Sequence, residues 1–242
     1  MRKLKIKFLV TLGLAFVLLA IPLPSVIWRR GSADISDLSS YTNLPVKKIK
    51  NYSVENSKGT AIFFPQYHRY PESRVSDPVN NSPQRSQEEI YSVLDHLVSG
   101  FGIDLLLVEG ELYGKVPPVK IENLSSREII LKGASVILKS KKNHLILFGT
   151  ENEDTLKESG ILVKDYITKK SPELEKKIQD VVVDRRNKEA AKNFARTLQE
   201  TDKRIGIIQF GAGHTAGLIK ELNRQGISVI VVTTDEAAKR QG

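Results

Sequence analysis

The sequence predicts an α/β fold with a mainly parallel central sheet flanked by helices, in a single domain that spans residues 56–242. Three observations lead to this fold class. Short apolar runs typical of buried strands alternate with longer amphipathic stretches typical of helices. Strands separated by helices favour parallel pairing through right-handed crossovers. The domain is long enough to bury one core, and the chain contains no internal repeat.

Five apolar runs are interpreted as strands. Each is short, rich in Ile, Leu, Val or Phe, and followed by glycine or polar residues that break the run. They cover residues 59–64, 104–109, 144–149, 204–210 and 227–234.

Four helices are expected beside these strands, each with a recognisable start. A Ser followed three residues later by Glu forms a capping box, and a Ser-Pro pair suits an N-cap and the first helical position. The helices begin at Ser86 (with Glu89), at about Ser125 (with Glu128), at Ser171 (with Pro172, ending near Glu200) and at His214.

Residues 1–30 are predicted to enter a membrane. Four basic residues precede an apolar run over 8–28, and two arginines close it. As a helix this run reaches roughly 30 Å, the thickness of a bilayer core. It is either an uncleaved signal-anchor or a cleaved signal peptide, since Pro22 and Pro24 suit a signal-peptide end but no Ala-x-Ala site follows. The excess of basic residues ahead of the run places the rest of the chain outside the cytoplasm.

Residues 31–55 are polar with little periodicity and are interpreted as a linker.

The net charge of +9 comes mostly from the first 30 residues, which hold six Lys or Arg and no acid, so the remainder carries +3. Composition therefore offers no support for a nucleic-acid partner. The chain has no cysteine, which excludes disulfides, thiolate zinc sites and a cysteine nucleophile. A metal ion would need His, Asp or Glu ligands.

Ionisable side chains follow the carboxyl ends of four predicted strands. His68 comes after the first strand, Glu109 ends the second, and Glu151 follows the third. His214 follows the fourth and starts a helix. Parallel strands place their carboxyl ends along one rim of the sheet, where ligands bind in open α/β folds. The positive end of the helix dipole favours a neutral His214 ring, which can act as a metal ligand or a general base.

His68, His214 and a glutamate would form a small metal site with open positions, suited to Zn or Mn. The alternative is that the two histidines are unrelated loop residues. For Glu151 the alternative is an acidic residue without a functional role, which the helix dipole favours at a helix N-terminus. For His96, beside an apolar stripe, and His144, at the opposite end of the sheet, no functional role is predicted.

The third helix carries an amide on its apolar face. Asn187 shares that face with Ala191, Phe194 and Leu198, and a buried amide needs hydrogen-bond partners. Arg186 precedes it, so this turn can bring a cation and a hydrogen-bonding group to the rim. The alternative is a solvated charge run in the middle of a helix.

Several of these segments together resemble the TraB/Tiki group of the erythromycin esterase and ChaN-like superfamily. The resemblance rests on PQYH at 65–68, LLLVEGE at 105–111, DRRNKEAAKNFARTL at 184–198 and GAGH at 211–214. It implies an α/β domain with two GxxH motifs, although Pro65 stands where the first motif has glycine. It implies metal-dependent proteolysis for Tiki-like members, haem binding for ChaN-like relatives and a histidine base for the esterases. The matching functional positions are His68, Glu109, Arg186, Asn187 and His214.

The leading hypothesis is a membrane-tethered, metal-dependent hydrolase that acts on a peptide or protein. His68, His214 and Glu109 would hold a divalent ion such as Mn, Co or Zn. Glu109 or Glu151 would act as the base on water, while Arg186 and Asn187 would orient the glutamate or stabilise the oxyanion.

Two other functions stay open at this point. The same rim could hold haem or a partner protein without catalysis, as the ChaN-like resemblance implies. The GAGHTAG turn could instead bind a dinucleotide, because Gly211, Gly213 and Gly217 open a helix after a strand and Asp235 ends the next strand. The chain contains no G-x-S-x-G or H-E-x-x-H motif, so neither a serine nucleophile nor a helical zinc motif is expected.

Overall fold

The computed structural model describes residues 43–67 and 82–239 of the chain. Within these ranges the chain forms one α/β domain with a mixed sheet flanked by helices. No helix in the described ranges is both long enough and apolar enough to cross a bilayer. The predicted membrane segment over 1–30, with its apolar run at 8–28, lies outside these ranges, as does His68.

The sheet contains seven strands: β1 (Val46–Tyr52), β2 (Gly59–Gln66), β3 (Leu105–Leu112), β4 (Gly114–Lys115), β5 (Ile146–Glu151), β6 (Ile205–Gly211) and β7 (Ile227–Thr234). Their order across the sheet is β1-β7-β2-β6-β3-β5-β4. The five central strands are parallel, whereas the edge strands β1 and β4 pair antiparallel with their neighbours. The carboxyl ends of β2, β6, β3 and β5 therefore share one rim.

The helices are α1 (Ser82–Phe101), α2 (Ser126–Lys141), α3 (Glu153–Lys169), α4 (Pro172–Lys177), α5 (Arg186–Glu200), α6 (Thr215–Arg224) and α7 (Asp235–Lys239). A π-helical segment, Ile178–Arg185, joins α4 to α5. A short 3-10 turn, Ala212–His214, leads from β6 into α6.

Hydrophobic cores lie on both faces of the sheet. Along β2, Ile62 and Phe64 belong to the core that α1 and α2 cover, while Ala61 and Phe63 belong to the core that α5 and α6 cover. All four side chains are fully buried, as expected of a parallel strand with helices on both sides. A slip of one residue would exchange the two sets, so this burial fixes the register and the residues that reach the rim.

β1 lies inside the predicted linker over 31–55, so that prediction is wrong for residues 46–52. The strand pairs with β7 at the sheet edge. Only every third residue is half-buried, namely Val46, Ile49 and Tyr52. That spacing lacks the two-residue alternation by which a strand is recognised. The exposed residues between them include three lysines, which are typical of an edge protected against further pairing.

α1 begins at Ser82, ahead of the predicted start at Ser86. Ser86 is buried inside the helix, where its hydroxyl accepts a 3.4 Å hydrogen bond from the N–H of Tyr67. Glu89 accepts a 2.8 Å bond from the N–H of Glu236. The predicted Ser86–Glu89 capping box is therefore wrong, because both side chains serve contacts with other parts of the fold.

The predicted helix starts at Ser125, Ser171 and His214 are confirmed, the last as the N-cap of α6. Ser125 and Glu128 form both hydrogen bonds of a capping box at the start of α2. The bonds from Ser125 to the Glu128 carboxylate lower the pKa of Glu128 to about 2. The hydroxyl of Ser171 accepts a 3.3 Å bond from the N–H of Leu174 at the start of α4.

α3 has no counterpart among the predicted helices. Asn152 caps it, since its side-chain oxygen accepts bonds from the N–H groups of Asp154 and Thr155. Gly160 lies in the middle of the helix and weakens the helical signal of the sequence. The helix starts directly after Glu151, so one of its ends lies at the rim.

Candidate active site

Arg186 joins two buried glutamates at the rim. Its Nη2 donates to Glu109 Oε1 at 2.7 Å and to Glu151 Oε1 at 2.5 Å, and its Nε donates to Glu151 Oε2 at 3.1 Å. None of the three residues is more than 8% exposed. Glu109 and Glu151 belong to the adjacent strands β3 and β5, whereas Arg186 begins α5 after the π-helical segment. The topology thus assembles a charged cluster from distant parts of the sequence.

Glu109 also holds the turn that leads to His214. Its Oε2 accepts a 2.6 Å bond from the N–H of Gly211 and a 3.3 Å bond from Gln66 Nε2. Gly211 is the last residue of β6. The carboxylate therefore connects β3 to the end of β6 and restrains the position at which the turn begins.

The cluster contains two carboxylates and one guanidinium. Burial raises the pKa of Glu151, the Glu109 charge raises it further, and Arg186 opposes both effects. Burial alone would lower the pKa of Arg186, but the two carboxylates raise it overall. Arg186 therefore remains cationic and is the group that allows two glutamates to share this buried place.

A network of buried amides lies beside Glu109. Gln66 Oε1 accepts bonds from Gln87 Nε2 at 2.8 Å and from Gln209 Nε2 at 2.5 Å. Gln209 Oε1 accepts a 2.6 Å bond from the hydroxyl of Ser135. Sequence reasoning missed this network, although a glutamine near the end of an otherwise apolar strand is a usable signal because it requires partners. The network orders the Gln66 side chain that donates to Glu109.

His214 contacts the buried amide of Asn187. The distance from His214 Nδ1 to Asn187 Oδ1 is 2.9 Å. An amide oxygen only accepts hydrogen bonds, so in the neutral ring Nδ1 carries the proton and Nε2 carries the lone pair. The ring meets Phe210 edge-on with centroids 4.7 Å apart, and Phe210 in turn lies 5.3 Å from the Arg186 guanidinium carbon. Phe210 therefore packs between the histidine and the charged cluster.

Gly217 leaves room for this contact. A Cβ atom at position 217 would overlap the side-chain nitrogen of Asn187. Among the described residues that nitrogen is buried and has no hydrogen-bond partner. The close approach of α6 to α5 at Gly217 thus determines how Asn187 meets His214.

Gly217→Ala is expected to displace the Asn187 amide from His214 and to lower the free energy of unfolding by about 1–3 kcal/mol, the usual cost of overpacking. Nitrogen-15 NMR of the imidazole should show that the proton on Nδ1 loses its protection from exchange with water. Gly213→Ala is the matched control, because a Cβ there meets no atom within 4 Å. An unchanged Nδ1–H signal in Gly217→Ala would contradict this account of the contact.

The structure brings Glu109, Glu151 and Arg186 into one cluster and places Asn187 against His214. The alternative of a solvated charge run is wrong for Arg186 and Asn187, which are both buried. The functional roles predicted for these five residues remain predictions, as does the role of His68, which lies outside the described ranges.

The other two histidines lie apart from these contacts. His144 is exposed in a turn before β5, and His96 meets Phe101 edge-on with centroids 5.7 Å apart.

The donors at the rim fit a metal ion only in part. His214 fits, because metal-binding histidines commonly fix one ring nitrogen by a hydrogen bond and use the other. Glu109 fits less well, since Arg186, Gly211 and Gln66 already donate hydrogen bonds to its two oxygens and a metal ion would compete with them. Within residues 43–67 and 82–239, no three His, Asp or Glu side chains are arranged to hold a metal ion. The predicted ligand set of His68, His214 and Glu109 stays a prediction.

The GAGHTAG turn differs from what a dinucleotide would require. In a dinucleotide-binding turn the backbone N–H groups face the pyrophosphate. Here the Gly211 N–H donates to the Glu109 carboxylate at 2.6 Å, so an anion of the protein already occupies it.

Comparison with models of protein families, with curated proteins and with solved structures found no match for this chain. The resemblance to the TraB/Tiki group therefore remains an interpretation of the quoted motifs.

Proposed function

We propose that this chain is a hydrolase of peptide bonds in which His214 is the general base. The observation that carries the proposal is the 2.9 Å contact from His214 Nδ1 to Asn187 Oδ1 beside the buried Arg186 cluster. A histidine whose Nδ1 is held by an amide or carboxylate oxygen uses Nε2 for proton transfer in His-Asn and His-Asp catalytic pairs, and we assign that role to His214. We further propose that the segment at 8–28 tethers the enzyme to a membrane with its domain outside the cytoplasm.

Each group has a role in this proposal. Nε2 of His214 accepts a proton from water as the water attacks the scissile carbonyl, and the resulting imidazolium returns that proton to the leaving amine as the C–N bond breaks. Asn187 keeps the ring in the required tautomer. The N–H groups of Ala212 and Gly213 lie at the start of the 3-10 segment, where the first amides have no acceptor within the helix. They are assigned to stabilise the oxyanion. Glu109 is a positioning residue, since it holds the Gly211 N–H at the start of the same turn.

In the metal-dependent form of the proposal, His68, His214 and Glu109 would hold a Mn, Co or Zn ion, and His214 would be a ligand in place of the general base. Such an ion, when bound, acts as a Lewis acid and generates hydroxide at neutral pH. To bind the ion, Glu109 would have to give up hydrogen bonds that it accepts from Arg186, Gly211 or Gln66. Metal analysis of the full chain after incubation with each ion distinguishes the metal-dependent form from the metal-free form. The metal-dependent form is supported if the wild type retains one equivalent of metal ion and His214→Gln retains none.

His214→Gln is expected to lower the rate of peptide hydrolysis by about 100-fold or more, the usual contribution of a general base. The measurement is cleavage of a quenched fluorescent casein by the full chain in lipid nanodiscs, with and without Mn, Co and Zn. His144→Gln is the matched control, because it makes the same chemical change at an exposed turn. Asn187→Ala should give an intermediate loss, since the ring keeps its base but loses the orienting acceptor.

Two outcomes would overturn the proposal. One is hydrolysis that His214→Gln and His144→Gln leave equally fast, which would place the base elsewhere. The other is the absence of cleavage by the folded wild type with every ion tested. A Soret band that appears on haem addition and disappears in His214→Gln would instead favour the haem-binding alternative.

A further inference from the structure

An elongated cleft of about 820 Å³ runs from the charged cluster along α3. Its walls come from α2, α3 and the π-helical segment, and its inner end is formed by Gly110 and Arg186. Its volume falls in the range of pockets that bind small molecules. The cleft is therefore large enough for a ligand, and it reaches the charged cluster at Arg186.

The apolar part of the cleft wall is aliphatic. It is formed by leucine, isoleucine and valine side chains, and no aromatic residue is found among the described residues that line the cleft. The lining also includes five charged residues, namely Glu111, Glu128, Lys132, Lys164 and Arg186. The apolar wall residues are Leu131, Leu156, Val163, Ile167 and Val182. Such walls provide dispersion contacts and apolar burial but no stacking surface for a sugar or a nucleobase.

The polar groups at the inner end are already engaged. The ammonium of Lys132 pairs with Glu111 and lies 3.2 Å from Glu128, and Arg186 is bonded to the two buried glutamates. An extended peptide in this cleft would leave most of its backbone N–H and C=O groups without partners, because the backbone of a helical wall is bonded within the helix. A hydrocarbon chain has no such requirement.

Ser159 provides one polar group that still lacks a partner. Ser159 lines the cleft and is 4% exposed. Its hydroxyl has no hydrogen-bond partner among the described residues. Such a group costs free energy unless it is satisfied. Ser159 lies nearer the start of α3 than Val163 and Ile167, and therefore nearer the rim. The hydroxyl is not solvent-accessible in this arrangement, so the Ser159 side chain must rotate into the cleft to donate to a ligand carbonyl, whose tail would then extend toward Ile167.

The cleft follows one face of α3 for about three turns. Leu156, Ser159, Gly160, Val163 and Ile167 occupy positions i, i+3, i+4, i+7 and i+11, which share one face of a helix. From Leu156 to Ile167 this stripe is about 16 Å long at 1.5 Å per residue. That length suits an extended aliphatic chain.

We propose that this cleft binds the acyl chain of an ester or amide, with the acyl carbonyl hydrogen-bonded to Ser159 and the aliphatic tail along α3 toward Ile167. The binding does not depend on the proposed hydrolysis. It does place the acyl carbonyl toward the same rim as His214, so acylated molecules are the class of ligand that the domain would receive.

Gly160 makes the proposal testable without damage to the fold. It lines the cleft, and a Cβ atom there meets no heavy atom within 4 Å. Gly160→Phe would therefore occupy the cleft with its ring, whereas Gly160→Ala adds a single methyl group. Both changes remove a helical glycine and so favour the helix, which makes Gly160→Ala the matched control.

The experiment is photo-cross-linking of the full chain in lipid nanodiscs. The probe is a glycerol dodecanoyl ester with a diazirine on its acyl chain, and mass spectrometry identifies the labelled peptides. Wild type and Gly160→Ala should be labelled in α3 and the π-helical segment. The yield of labelled peptide from these segments should be about tenfold lower in Gly160→Phe. His214→Gln should retain the labelling, so failure of the hydrolase proposal and failure of this one are distinguishable.

Three results would overturn the proposal. One is labelling of α3 that Gly160→Phe leaves unchanged. Another is labelling confined to residues 1–30, which would indicate that the probe only follows the membrane. The third is displacement of the probe by an unacylated leucine-rich peptide, together with labelling of α3 by the same peptide when it carries photo-leucine. That result would identify a peptide as the occupant of the cleft.

Discussion

Replacing Arg186 by methionine is expected to lower the free energy of unfolding by about 3–5 kcal/mol at pH 7, the cost of leaving buried charges without their partner. Arg186 donates three hydrogen bonds to Glu109 and Glu151, and both glutamates are at most 4% exposed. Methionine fills similar space but carries no charge. Urea denaturation followed by circular dichroism gives the measurement.

The same variant should show a pH dependence of definite sign. Burial already raises the pKa of Glu151 while Arg186 opposes that effect, so without Arg186 the pKa must rise further. A glutamate whose pKa is higher in the folded than in the unfolded state binds more protons when folded. Stability then falls as the pH rises above the ordinary glutamate value. The deficit of Arg186→Met relative to wild type should therefore be small near pH 4 and reach its full size near neutral pH.

Arg185→Met is the control for this prediction. Arg185 is adjacent in sequence but half exposed, and it pairs with Glu158 at 2.5 Å on the surface. Exposed ion pairs contribute about 0–1 kcal/mol. Equal losses in the two variants, or an Arg186→Met deficit that does not change with pH, would show that the two glutamates do not depend on Arg186.

The sequence was sufficient to predict the parallel core and its rim. Five apolar runs and the helices between them determine which ends of the strands lie together, so Glu109, Glu151 and His214 could be assigned to one rim before their contacts were known. Asn187 could be assigned to a buried helix face because the apolar residues around it recur at helical spacing. Its contact with His214 at 2.9 Å agrees with that assignment.

The partners of these side chains could not be predicted in the same way. Gln66, Gln87 and Gln209 form their network across β2, α1 and β6, and a one-dimensional pattern contains no information on which amides meet. Glu109 was expected to bind a metal or act as a base, yet it accepts hydrogen bonds from three protein groups. Periodicity predicts which face of an element is buried, whereas contacts depend on how elements pack.

Neither β1 nor α3 could be predicted from the hydrophobic pattern of the sequence. β1 has lysine at three of its four exposed positions, because it pairs along one edge only and needs little apolar surface. α3 uses Ser159 and Gly160 on the face that lines the cleft, where a helix packed against a core would present larger apolar residues. In both cases the unusual composition follows from a face that the fold leaves partly uncovered.

Gly149→Ala is expected to destabilise the domain by about 3 kcal/mol or more, at the upper end of the range for overpacking. Gly149 lies in β5, beside the point where β3 departs from regular pairing between Val108 and Leu112. A Cβ atom at Gly149 would overlap the carbonyl oxygens of Glu111 and Leu112. Because these are backbone atoms, no side-chain rotation can relieve the overlap, and the end of β3 must move.

Movement of β3 at this point would also disturb the candidate site. The N–H of Gly110 donates to Glu151 Oε1 at 3.3 Å, and Glu109 precedes it in the same strand. Gly149→Ala should therefore weaken the Arg186 cluster as well as the sheet, with lower stability in urea and slower casein hydrolysis in the folded protein. Gly160→Ala provides the comparison, since the same substitution at an open helical position should leave stability unchanged or raise it by up to about 1 kcal/mol. If Gly149→Ala proved as stable as Gly160→Ala, the end of β3 could not pack against Gly149 as described, and the placement of Glu109 beside Glu151 would lose its structural basis.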